Sequence, residues 1–400
     1  CFALVSIGIT SCGESKKTLT ISKDSHIVLL GNNLGSRMTN YGYFETEMQL
    51  RYPDNSLFIR NMADPGNTPG FRPHSSRNSP WAFPGAEQFQ TELAEGTGST
   101  GHFDSPDEWL SVLKADVIIA FFGYNESFQG PEGVDNYKAE LHAFIQHTLK
   151  QKYNGSTRPQ LALVSPIAFE DLSAKMDLPD GVKENKNLAL YTAAMKEVAA
   201  ADSVLFVDAF EPTKSWYAST EEDLTADGFQ LNDLGYKKFA EFLTNEVFGE
   251  TTSKVEENRQ LVLDAVNEKN WFWLQDYKIP NGVHAYGRRY NPFGPKNYPA
   301  EVEKVREMTA IRDQAIWKAL KGEKMDLASA DAKTKVLPAV PTNFKPSKKN
   351  GTPEYLYGED ALEQIHVAPG YKLELFASEK EFDELANPVQ MSFDNKGRLW

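Results

Sequence analysis

The chain predicts a three-layer α/β/α sandwich with a central parallel sheet, on two observations. Short apolar runs of strand length alternate with stretches of helical spacing over about 220 residues. The runs are apolar throughout rather than at every second residue, as strands buried on both faces are.

The elements follow in order. Ser25–Leu30 is a first buried strand, stopping at Gly31, and a helix is expected over Tyr43–Arg51. Ser56–Asn61 is a second strand, closed by a Pro65-Gly66 turn. Thr68–Ser105, rich in Gly, Pro, Ser and Asn, is expected as a long surface loop, and such loops are often functional. Asp116–Phe122 is a third strand; the helix after it, Val134–Gln151, carries Leu141, Phe144, Ile145 and Leu149 at helical spacing. Gln160–Ser165 and Val204–Asp208 are the fourth and fifth strands, with helices at Leu188–Ala200 and Tyr236–Val247. Beyond Thr251 the chain is charged and helical in pattern up to Leu320, broken by an aromatic, Gly-rich insert over Trp271–Pro299. Ala328–Thr352 reads as a Lys/Pro/Ala linker. Tyr371–Phe376 alternates like an exposed-face strand, and Pro388–Asp394 with Asn395–Trp400 reads as strand, hairpin turn and strand. The run ends inside that last strand, so a longer protein is expected.

Composition is that of a soluble globular protein: 40% hydrophobic and 24% charged. A net charge of −14 argues against a nucleic-acid partner, because phosphates need a basic surface. Both cysteines, Cys1 and Cys12, flank a short apolar run, Phe2–Ile9, too short to span a bilayer. The run resembles the apolar part of a secretory signal, and Ile9-Thr10-Ser11-Cys12 resembles a bacterial lipobox whose cysteine receives lipid; a buried first strand is the alternative. Processing at Cys12 would leave one cysteine and no intramolecular disulfide.

Four blocks carry the chemistry. They are Gly31-Asn32-Asn33-Leu34 after strand one, Asn61 through Pro65-Gly66-Asn67-Thr68 after strand two, Gly123-Tyr124-Asn125-Glu126 after strand three, and Asp227-Gly228-Phe229-Gln230. In this order, each after the expected element, they resemble the blocks of the SGNH (GDSL-like) hydrolases over roughly Ser25–Gly249. The resemblance implies the flavodoxin-like sandwich of that family. It also implies roles: a Ser nucleophile, a His base held by an Asp, and an oxyanion hole of backbone N–H groups and an Asn amide. Gly66 and Asn125 stand at the oxyanion positions and Asp227 at the orienting acid. Asn33 stands at the nucleophile position and Gln230 at the His position. An amide is neither nucleophile nor general base at neutral pH, so the relay is broken at both ends.

Substitutes are few. Ser36 reads as an N-terminal helical serine rather than a displaced nucleophile, and His26 as a surface residue at the far end of strand one. His74 and His102 fall in the long loop, where solvated histidines are the ordinary reading and a substitute base is the sharper one. Glu126 and Asp64 read as loop-capping acids, with a water-activating carboxylate as the alternative. His142 and His147, at i and i+5, do not share a metal-binding helix face, and no cluster has zinc or calcium-loop spacing. The insert's aromatic and Arg side chains read first as a minicore docking this segment on the sandwich, second as a sugar-binding surface.

Phe121–Phe128 and the later Asn281-Gly282…Tyr286-Gly287-Arg288-Arg289 segment resemble large exported proteins of Planctomycetes, Verrucomicrobia and Bacteroidetes. These join an SGNH-like module to a sugar-dehydrogenase-like β-propeller and a C-terminal c-type cytochrome. Ala368–Phe376 and Asn387–Met391 look like their first propeller blade. The resemblance divides the chain into a truncated lipoprotein-type signal (1–12), a tether (13–24), the sandwich (25–249), a helical and aromatic extension (250–327), a linker (328–360) and the first propeller strands (361–400). It implies a surface lipoprotein linked to sugar oxidation that binds a carbohydrate or acylated glycan, is membrane-held through Cys12, and meets its own propeller and cytochrome domains. An active carbohydrate esterase with a substitute base, and a structural domain presenting the propeller, are the alternatives. No Cys-x-x-Cys-His occurs here, so no haem or other cofactor is expected in these residues.

Overall fold

The computed structural model describes residues 17–73, 79–90, 101–251, 256–339, 356–385 and 389–400. Cys1, Cys12 and His74 lie outside them, and with them the lipidation expectation. Two compact units are present, residues 1–338 and 339–400.

In the first unit, five apolar runs form β1 (His26–Gly31), β2 (Phe58–Asn61), β3 (Val117–Phe121), β4 (Gln160–Val164) and β5 (Leu205–Val207). They pair in parallel in the order β2-β1-β3-β4-β5, with Leu29 opposite Asn61 and Gly31 opposite Phe121. Successive side chains leave a strand on opposite faces, and here both faces are apolar. Leu30, Ile118 and Leu163 pack beneath α3 (Pro106–Val112), α5 (Val134–Thr148) and α6 (Val182–Ala201). Leu29, Ile119 and Val164 pack against α1 (Asn33–Arg37), α2 (Tyr43–Arg51) and α8 (Asp233–Phe248). A short α4 (Tyr124–Ser127) follows β3, and α7 (Phe210–Ser219) follows β5. This is the three-layer α/β/α architecture with the flavodoxin-like order that the sequence predicts.

The extension is part of the same body. Helix α9 (Arg259–Tyr277) and the long α12 (Tyr298–Ala319) pack on the edge strand β2, and the short α10 (Gly282–Ala285) and a kinked α11 (Tyr290–Lys296) connect them. Lys269 Nζ, fully buried, donates to Glu45 Oε2 at 2.6 Å, to Asn270 Oδ1 at 2.7 Å and to the Ile59 carbonyl at 2.9 Å, using all three of its donors. Arg60 forks onto Asp313 at 2.9 and 2.5 Å. Trp273 Nε1 donates to the Asn61 carbonyl and Tyr277 Oη to that of Met62. An edge strand's free carbonyls are thus consumed within the chain.

Several expectations are corrected. The loop Thr68–Ser105 is not simply a surface loop: in its described parts Phe83, Ala86 and Phe103 are core residues, because their apolar side chains fill the layer beside α3 and α5. The aromatic insert is not a break in the helical pattern at Trp271, since α9 runs on through Tyr277. The tether, from Lys17 on, is docked: Leu19 is buried and its N–H donates to the Val247 carbonyl at 2.8 Å. The linker begins later than Ala328, because Asp326 caps a helix over Leu327–Asp331 and Arg312 pairs with Asp331. α3 and α7 are additional helices; Ser105 and Glu108 form the capping box that starts α3.

In the second unit a short helix, Gly358–Gln364, is followed by irregular chain with turns and a single helical turn at Asp383–Leu385. Tyr371–Phe376 is not a strand: no neighbouring strand is present among the described residues to accept its ladder, and a lone strand is unstable. The hairpin turn does form, with Phe393 bridging Leu399 and the Ser392 and Trp400 backbones bonded both ways.

Candidate functional site

The four blocks meet at the carboxyl ends of the strands, where parallel α/β sheets place their ligands. Gly31 ends β1 at φ +108°, and a Cβ there would sit 2.0 Å from the Phe121 carbonyl oxygen. Only glycine lets β1 and β3 close so tightly before the chain turns into α1. The Gly31 carbonyl then accepts from Asp64 N–H at 2.8 Å and from Asn67 Nδ2 at 3.1 Å, which ties block two to block one. Block three joins through Asn125, and Tyr124 stacks on Phe229 with 3.3 Å between centroids, bringing in block four. Tyr236 Oη closes the ring by donating to the Leu34 carbonyl at 3.0 Å.

Asn33 is the first residue of α1 and half-buried; its backbone N–H has no acceptor among the described residues. Gly66, exposed in its turn, likewise keeps its N–H free among them. Asn125 differs from expectation. Its side-chain amide has two hydrogens, and both are given to backbone carbonyls, Pro65 at 2.8 Å and Asn67 at 2.9 Å. The expected oxyanion donor is therefore occupied as a clamp on the block-two turn, because those carbonyls face it inside the same loop.

At block four, Asp227 Oδ1 accepts the backbone N–H of Phe229 at 3.1 Å and of Gln230 at 2.7 Å. Its Oδ2 accepts from Gln230 Nε2 at 2.7 Å. The donor role that a histidine N–H would have toward this acid is filled by the glutamine amide. Buried Glu170 braces the loop from behind, accepting from Thr225 N–H at 2.7 Å and Thr225 Oγ1 at 2.6 Å.

A scan of family models matches residues 358–400 to a domain of unknown function, DUF7133. No curated protein matches. Among solved structures, the chain is similar to the acetylxylan esterase Axe2 of Geobacillus stearothermophilus, at 14% identity over 57% of this chain and 96% of that one, TM-score 0.39. It is also similar to a protein assigned as a GDSL-like lipase from Parabacteroides merdae, at 15% identity over 57% and 98%, TM-score 0.41. A gut microbial diltiazem-metabolizing enzyme is matched at 14% identity over 58% and 49%, TM-score 0.41. At this identity the likeness concerns fold and says nothing of activity.

The proposed substitutes are engaged elsewhere. His26 opens β1 at the end opposite Asn33 and stacks on Phe58; burial lowers its pKa. His102 meets Glu108 at 3.1 Å and Asp104 at 3.5 Å, an exposed cluster. His142 pairs with Asp202 and His147 with Asp107. Ser36 lies inside α1, and Asp64 pairs with Lys278 at 3.0 Å. Glu126 is the exception: it is 5% exposed, its Oε2 accepts the Gly123 N–H at 2.8 Å, and burial together with the nearby Glu140 pushes its pKa up to about 8.

Two features escaped sequence reasoning. Tyr137 and Glu140 lie on the buried side of α5 beside Asn125, and a residue four before Leu141 on an apolar helix face was the available signal for Tyr137. The second is a cavity of about 580 Å³ lined by Phe103, Trp109, Tyr286, Tyr290, Tyr298 and Arg306. Here the insert's rings dock on α3 and also leave an open aromatic wall.

Proposed function

We propose that the first unit is an SGNH-like domain that has given up ester hydrolysis and binds a carbohydrate or acylated glycan. The observation carrying this reading is the 2.7 Å bond from Gln230 Nε2 to Asp227 Oδ2. An acid that in a working relay would hold a base here holds an amide, and the amide has no proton-accepting nitrogen. Asn33 at the nucleophile position and the bound amide of Asn125 support it from the other side. Without a relay, only a weak residual rate from binding and polarisation is expected.

Glycan binding draws its support from the aromatic wall with Arg306, a surface of the kind on which sugar rings stack. The wider setting is also a proposal: an exported lipoprotein held through Cys12, whose propeller and c-type cytochrome domains carry sugar oxidation.

A glycan array with the full chain, run beside a p-nitrophenyl acetate assay, tests the reading. Glycan retention without turnover is expected. Turnover abolished by a single loop-histidine substitution would support the competing esterase instead. Absence of any glycan binding together with absence of turnover would leave only a structural role.

A further inference from the structure

We propose that the aromatic cavity between α3, α11 and α12 takes a cationic amino sugar, an oligosaccharide whose rings carry free amino groups. The proposal rests on the glycan-binding reading and names the class of its ligand.

The cavity measures about 580 Å³, room for about two or three sugar rings. Phe103 and Trp109, both buried, back it, and half-buried Tyr286, Tyr290 and Tyr298 carry its reachable ring surface. Aromatic rings hold the apolar face of a sugar and also attract a cation.

The charges around the rings decide the sign of the ligand. Arg306 is the only lysine or arginine among the described lining residues, and its charge is already met. It forks onto Asp276, 2% exposed, at 2.7 and 3.2 Å, and its guanidinium stands over the Trp109 ring at 5.4 Å. Glu303 pairs with Lys335. Two lining carboxylates are left over. Glu307 accepts the Lys335 backbone N–H at 2.7 Å, a neutral partner that leaves its charge standing, while nearby Lys304 gives its Nζ to Thr334 Oγ1 and the Lys335 carbonyl. Asp104, its side chain 32% exposed, has His102 at 3.5 Å, but that imidazole also meets Glu108 at 3.1 Å. One histidine, even protonated, therefore faces two carboxylates. Arg288 and Arg289, in the turn between Tyr286 and Tyr290, do not line the cavity.

A cleft with charge of one sign and low-dielectric walls concentrates ligands of the opposite sign. The net charge of −14 acts in the same direction. An ammonium group on a sugar ring suits tyrosine rings and carboxylates together, whereas a uronate would meet like charge.

Calorimetry on the full chain tests this with three trisaccharides at a pH that protonates the amines. They are a glucosamine trimer with free amines, its N-acetylated counterpart and a galacturonate trimer. The free-amine trimer should bind at least tenfold tighter than either, and added salt should erode that preference. Asp104→Asn and Glu307→Gln remove charge and keep shape, and Glu307→Gln keeps an oxygen for the Lys335 N–H. Each should weaken the free-amine trimer about threefold and leave the N-acetylated one unchanged, with the melting temperature held. Equal binding of the free-amine and N-acetylated trimers, or a preference indifferent to salt, would overturn the amine assignment while glycan binding stands. A preference that survives in the double variant would overturn it likewise, and no binding of any array glycan would sink both readings.

Discussion

Gln230 binds Asp227 twice, through its backbone N–H and its side-chain amide, each at 2.7 Å. The contact is local, three residues apart, and the Tyr124–Phe229 stack fixes the loop that carries it. A histidine put at this position would find its orienting acid already in place.

Restoring the base alone should therefore achieve little, because Asn33 offers no nucleophile. Gln230→His and Asn33→Ser are each expected to stay at background in p-nitrophenyl acetate hydrolysis. The double variant should exceed either single one by about 10²-fold, since relay groups act as a unit. Labelling by a fluorophosphonate in the double variant alone would report the same coupling. Equal rates in all three would show that the crevice lacks the relay geometry.

Asn125 is expected to matter for stability before chemistry. Asn125→Ala removes both hydrogen bonds to Pro65 and Asn67 and should lower unfolding free energy by about 1–3 kcal/mol. Asn125→Asp should be worse, since a carboxylate would face two carbonyl oxygens. Urea unfolding by fluorescence measures both. An Asn125→Ala protein as stable as the parent would return the residue to the oxyanion role.

Much of this was legible in the sequence for a simple reason. A strand buried on both faces must be apolar at every residue, so β1, β3 and β4 stand out, and Gly31 marks where β1 ends. That Gln230 meets Asp227 was legible because the two lie three residues apart in one turn, and that Asn33 follows β1 because Gly31 ends the apolar run. What stayed hidden was long-range. Nothing near Lys269 in sequence names Glu45, 224 residues away, as its partner. The two hydrogens of Asn125 could not be assigned without the turn's carbonyls. The strand expected over Tyr371–Phe376 failed because alternation records a face but supplies no neighbouring strand.

The Lys269–Glu45 pair predicts how the extension is held. Burial presses Lys269 toward its neutral form and Glu45 toward its own, and each partner's charge opposes the shift. Lys269→Met should lose about 3–5 kcal/mol, because Glu45 remains buried without a counter-charge. Adding Glu45→Gln should recover most of that loss. A double-mutant cycle by urea denaturation decides it: simple additivity would mean that the two residues are not coupled.

Glu126 gives the last prediction a sign. Burial and Glu140 raise its pKa from 4.5 to about 8 in the folded chain, against the pull of Arg72 and the Gly123 N–H. Tyr137 and Tyr191, also close, hold their protons throughout, their own values raised by burial. Between about pH 4.5 and 8 the folded chain thus keeps a proton that the unfolded chain releases. Stability from this group is complete below that window and is lost as pH rises through it. Melting temperature should fall across pH 5 to 8 by more than in Glu126→Gln, whose amide does not titrate and whose oxygen can still cap α4. Parallel pH profiles for the two proteins would show that Glu126 is ionised in the fold at neutral pH.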